Sequence, residues 1–157
     1  MVAAVACAIL IASAAAGAQN APATPVLSAW AVQARAEGRE TKSFDPKLAP
    51  VRRVLEGLPF DNFTCLGDFS QPVPMNQEVE IPISGRHTLF LKPRERLADG
   101  RLLLDLRVEM PSRELRGKPV TALKAELKII PGELLNVRGF HVEEGELIIV
   151  LRAEFSK

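Results

Sequence analysis

Hydrophobic residues recur along this chain at two different periods, and the places where the period changes divide it into elements. From Val26 to Ala36, Ser28, Trp30, Val32, Ala34 and Ala36 fall on one side, with Ala29, Ala31, Gln33 and Arg35 on the other. That two-residue repeat predicts a first strand, with Trp30 in the core. The polar run from Glu37 to Ser43 predicts a loop. Leu48, Val51, Leu55 and Leu58 then recur at three- and four-residue steps, which places them on one stripe of a helix over about 46–57. Asp45 offers a capping oxygen, Pro46 fits the first helical position, Gly57 suits the far cap, and Pro59 prevents continuation.

From Asn62 onward the repeat returns to two. Phe63–Ser70, Glu78–Ile83, His87–Leu97, Arg101–Met110, Thr121–Ile130 and Leu134–Val142 each read as a strand, and Glu146–Phe155 closes the series. Pro82 and Pro93 remove ladder donors, so their strands are expected at an edge or a bulge. Asp99-Gly100 predicts a two-residue hairpin turn, and Pro131-Gly132 and Glu144-Gly145 predict further turns. The half of the last strand that runs Leu147-Ile-Ile-Val-Leu151 is apolar on both sides, which suits a central position. The fold class expected is α+β and mainly antiparallel β. It has seven to eight strands in one or two sheets, and one helix (about 46–57) after the first strand, covering part of one sheet.

The first residues stand apart from this pattern. Val2 to Ala16 carries no charge, which fits the apolar core of a signal peptide and is short for a bilayer span of about 20 residues. Ala16 and Ala18 supply the small side chains a signal peptidase recognises, so cleavage is expected after Ala18. The amino terminus is the only positive charge ahead of the apolar run. The expected organisation is therefore a cleavable signal peptide over 1–18, a Pro/Ala linker over 19–25, and one β-rich domain over 26–157. The address is periplasmic or secreted, and contact with a membrane would come only through an uncleaved signal. Loss of Cys7 with the signal leaves Cys65 alone. No internal disulfide can then form, and Cys65 in its apolar setting reads as a small buried hydrophobe.

Composition narrows the chemistry. Twenty basic and nineteen acidic residues give a net charge of +1, which argues against nucleic acid as a partner. The basic segment from Arg86 to Lys118 alternates with apolar residues and reads as a solvated strand face. His87 and His141 are far apart in sequence and match no metal-ligand spacing, so both read as ordinary strand residues, and no metal or cofactor is expected. No nucleophile elbow and no phosphate-binding glycine loop occurs, so no catalytic residue is assigned. Glu143, Glu144 and Glu146 flank a turn glycine, where solvated charge is expected.

The segments FDPKLAPVRRVLEGLPF (Phe44 to Phe60), LGD (Leu66 to Asp68) and EGELIIVLRAE (Glu144 to Glu154) resemble those of small, signal-peptide-bearing, β-rich exported proteins of Gram-negative bacteria with no known activity. The resemblance implies a bacterial envelope setting and assigns no functional residue. The function expected is a non-catalytic envelope module that binds another envelope protein, with edge strands available to accept a partner strand. The alternatives are a hydrolase using paired carboxylates, or a binder of lipid or another apolar ligand in a cavity between sheet and helix.

Overall fold

The computed structural model describes residues 23–83, 86–112, 114, 116–142 and 144–156. The expected signal peptide, with Ala16 and Ala18, lies outside the described residues. The strands are β1 (Pro25–Arg35), β2 (Ser43–Phe44), β3 (Asn62–Pro72), β4 (Val79–Ile83), β5 (His87–Arg96), β6 (Leu102–Pro111), β7 (Pro119–Ile129), β8 (Leu134–Val142) and β9 (Gly145–Phe155). Between β2 and β3 a 3₁₀ helix (Pro46–Val51) runs into a short α-helix, α1 (Arg52–Glu56). Strands β4-β5-β6-β7 form an antiparallel meander. The other five lie in the order β2-β3-β1-β9-β8, antiparallel except for the β2–β3 pair.

The two sheets bury the inward sides of their alternating patterns against each other. Leu27, Ala29 and Ala31 of β1 and Leu147, Ile149 and Leu151 of β9 meet Leu89, Leu91, Leu104, Leu106 and Val108 of the meander. On the opposite side of the five-stranded sheet, Trp30, Val32, Ala34, Phe63, Ile148 and Val150 pack under Leu48, Val51 and Leu55 of the helical segment. Strands β1 and β9 are thus covered on both faces, which is why Leu147–Leu151 is apolar without alternation. Each buried Leu, Ile or Val contributes about 1.5–3 kcal/mol. The larger share of that stabilisation lies between the sheets.

The helix is shorter and tighter than the stripe over 46–57 predicts. Pro50 has no amide to return to the Pro46 carbonyl, and its ring crowds that turn, so the first six residues take 3₁₀ geometry. Leu48, Val51 and Leu55 still reach the sheet. Asp45 caps the start by accepting from the Lys47 amide at 3.0 Å, and its other oxygen accepts from the Cys65 amide at 3.3 Å. One carboxylate therefore caps the helix and pins it to β3.

Strand β2, two residues at the end of the expected loop, brings the count among the described residues to nine; too short for periodicity to show, it is set by pairing with the start of β3. Pro82 lies on β4, an edge strand, and Pro93 lies at a register shift between β5 and β6. The turn at Asp99-Gly100 is longer than the two residues expected. Leu97 and Arg101 close a three-residue loop, in which the Gly100 amide bonds the Leu97 carbonyl at 2.9 Å. Gly100 then takes φ +86, the left-handed residue such loops need. Pro131-Gly132 turns the chain from the meander into the other sheet rather than forming a hairpin.

One glycine carries more than a turn. Gly145 has φ +117, and a Cβ there would sit 2.2 Å from the Ala34 carbonyl oxygen. Gly145→Ala combines a disfavoured backbone with a clash against β1. It is expected to destabilise the protein by about 2 kcal/mol or more, read as a lower urea midpoint. An unchanged midpoint would contradict this close approach.

Candidate functional site

At one end of the sandwich the sheets part around a cleft of about 1100 Å³. Three connections end there: β4 to β5, β6 to β7, and the β8–β9 hairpin. Its apolar walls come from Leu66 on β3, Met110 at the end of β6, Val120 at the start of β7 and Val142 at the end of β8. Arg86, His87, Ser112, Glu114, Gln33 and His141 add polar groups around them. Leu66 is the extra residue of a bulge in β3 opposite Ala31 and Val32, so Leu66 and Gly67 both face the meander while Cys65 faces the helical layer.

The cleft's sheet-side wall is held by a polar clasp. The Gln33 side-chain amide donates to the Glu144 carbonyl at 3.1 Å, and its oxygen accepts from Arg35 at 3.0 Å. Arg35 also pairs with the Glu144 carboxylate at 2.9 Å. Together with the Gly145 contact, these bonds fix the β8–β9 hairpin against the end of β1. On the other side, the Ser112 amide bonds the Lys118 carbonyl at 3.0 Å and the Gly117 amide bonds the Ser112 carbonyl at 2.9 Å, which shapes the β6–β7 connection.

The two histidines, ordinary strand residues by sequence, come to this one cleft from different sheets. His87 starts β5 in the meander and His141 lies near the end of β8 in the other sheet. Burial pushes the His87 imidazole below its ordinary pKa, and the Arg86 cation adds to the effect. The ring is therefore neutral at pH 7, and among the described residues its buried Nδ1 has no hydrogen-bond partner. Among the described residues, no group of three or more His, Cys, Asp or Glu is arranged to hold a metal ion.

Two of the acidic residues singled out by sequence, Glu144 and Glu146, are held in ion pairs. Glu146 accepts from Arg138 at 2.8 and 3.3 Å, and that guanidinium lowers its pKa. Glu144 is tied to Arg35, and Glu143 lies outside the described residues. Glu37, Asp61 and Asp99 are likewise lowered, by hydrogen bonds from Asn62 and Arg39, from backbone amides, and from Arg101 respectively. Cys65 is half-buried with the aromatic and aliphatic side chains under the helix. Burial raises its thiol, and the Asp68 and Asp45 carboxylates add to this, so little thiolate forms. Trp30 is buried in the same layer.

Sequence patterning missed the cleft because its walls come from four strands brought together only by topology. Met110 read as an ordinary inward position at the end of its strand, and Val120 lay just ahead of the run Thr121–Ile130 that read as the next one. No protein-family model, curated protein or solved structure matches the chain.

His87 gives the site a measurable signature. The unfolded chain takes up a proton near its ordinary pKa of 6.5, whereas the folded chain resists it. Stability from this group is present above that value and is lost as pH falls below it. Urea midpoints measured between about pH 7.5 and 5 should decline, and the decline should be shallower in His87→Gln. Equal slopes in the two proteins would show that His87 is not buried as described.

Proposed function

We propose that this protein is a non-catalytic binding module of the bacterial envelope, and that the end cleft is its binding site. The observation that carries the reading is the cleft itself, with apolar walls between two packed sheets and polar groups gathered at its rim. Small-molecule sites are concave and mostly apolar, with a few convergent polar groups that fix orientation. At about 1100 Å³ the cleft is slightly larger than the roughly 300–1,000 Å³ typical of such sites.

The state of the titratable groups favours binding over catalysis. A glycosidase or similar hydrolase needs one carboxyl held protonated near neutral pH. The carboxylates with displaced pKa values here are all moved the other way, and cations or amides occupy their oxygens. Cys65 lies on the far side of the sheet from the cleft, with its thiol kept protonated.

A second, sharper reading follows from the walls. Leu66, Met110, Val120 and Val142 suit an acyl chain, and Arg86 with the two imidazoles suits a carboxylate or phosphate at its end. This is the lipid-binding alternative moved from the helix–sheet interface, which Leu48, Val51 and Leu55 fill, to the gap between the sheets. Calorimetric titration with dodecanoate tests it. Saturable binding at micromolar affinity is expected, weakened about tenfold or more by Val120→Asp, which places an unpaired charge against the chain. Heat of dilution alone, or binding indifferent to Val120→Asp, would remove the acyl-chain reading.

The envelope setting has a separate test. In fractionated cells the protein is expected outside the cytoplasm with Gln19 at its amino terminus. Cytoplasmic protein still beginning at Met1 would contradict it.

A further inference from the structure

The outer edge of the meander is β7, an eleven-residue strand with no strand beyond it among the described residues. Its outward N–H and C=O groups form a template for another strand, and natural edges are usually blunted by proline, bulges or inward charges. In β7 those devices lie only at its start. Pro119 opens the strand and Ala122 is the bulged residue, whereas Leu123 to Ile129 run in regular register with β6. Leu123 and Leu127 point inward and stay partly exposed at this flank. Ile130, just past the end, is 48% exposed and is the exposed large hydrophobic among the described residues.

The charges on β7 are matched to the wrong neighbour. Lys124 lies directly opposite Arg107 of β6, and Glu126 directly opposite Asp105. Like charges facing each other across strands are destabilising. The β6 charges turn away to partners of their own: Arg107 to Glu78 at 3.1 Å and to Glu109, Asp105 to Arg94 at 2.8 Å. Among the described residues, Lys124 and Glu126 have no ion-pair partner. Lys128, the third charge in the row, already lies in the field of Asp99.

The geometry points to a second copy of this chain as the occupant of this edge, paired β7 to β7 antiparallel about a two-fold axis through Ala125. In that register Lys124 faces the partner's Glu126 and Glu126 faces the partner's Lys124, on the solvent side. On the core side Leu123 faces the partner's Leu127, which extends both meanders into one eight-stranded sheet. A shift of the axis to Glu126 would oppose glutamate to glutamate. An axis at Leu127 would pair Glu126 with Lys128 and leave Lys124 facing Arg107 uncompensated.

Charge reversal tests this directly. Sedimentation of the purified protein from about 1 to 200 μM is expected to show a monomer–dimer equilibrium. Lys124→Glu and Glu126→Lys are each expected to weaken dimerisation about tenfold or more, because each creates two like-charge contacts across the axis. The same substitutions turn a like-charge neighbour on β6 into an unlike one, so neither should lower the melting temperature of the dilute monomer. The double exchange, K124E with E126K, should restore dimerisation. A monomer at all concentrations would overturn the proposal, as would single variants that associate normally. A double variant that stays dissociated would overturn the Ala125 register.

Discussion

Pairs running from Pro25 opposite Phe155 to Ala34 opposite Glu146 join the first described strand to the last, in the middle of the larger sheet. Because that seam is covered on both faces, every layer of the molecule touches it. The meander packs on its Leu27–Ala31 and Leu147–Ala153 side, and the helical segment packs on its Trp30–Ala34 and Ile148–Val150 side. Small residues make the arrangement possible. Ala29, Ala31, Ala34 and Ala153 let the neighbouring layers approach closely, while the leucines and isoleucines opposite them fill the space. The contact is also the longest-range strand pairing among the described residues, so neither layer can complete its core before both strands are present.

The cleft depends on the same seam. Gln33 and Arg35 at the end of β1 hold the β8–β9 hairpin by its Glu144 carbonyl and carboxylate, and Gly145 lets that hairpin lie flush on Ala34. One wall of the cleft is therefore part of the most buried pair of strands. The other wall, from the start of β5, the end of β6 and the start of β7, belongs to the meander, whose connection from Ser112 to Lys118 closes on its own hydrogen bonds. A site built this way has a rigid base and an open mouth.

Much of the fold was legible in the sequence because alternation is a direct record of burial. Strands β1 and β3 to β9 lie within a residue or two of the runs that predict them, and Leu147–Leu151 announces its central place by losing its polar side. What was not legible depends on neighbours. Pro50 tightened the helix although the apolar stripe survived it, and β2 is too short to carry a pattern. The hairpin at Asp99-Gly100 gained a residue because Ala98 and Asp99 are the central pair of the turn and Gly100 closes it as the third loop residue. His87 and His141 gave no sign of sharing a cleft, since only the order β4-β5-β6-β7 stacked against β2-β3-β1-β9-β8 puts the start of one strand and the end of another at the same end. The mismatch of Lys124 with Arg107 was invisible for the same reason: it exists only in the register of β6 with β7.

Native-state hydrogen exchange measures the seam's role most directly. If both cores rest on it, the amides of Leu27 to Ala34 and of Leu147 to Leu151 should exchange last, at the free energy of global unfolding and with its full denaturant dependence. Amides of the edge strands and of the connections around the cleft should exchange earlier, through smaller openings. Exchange of the β1 and β9 amides through a partial opening, while the meander stays protected, would contradict the account.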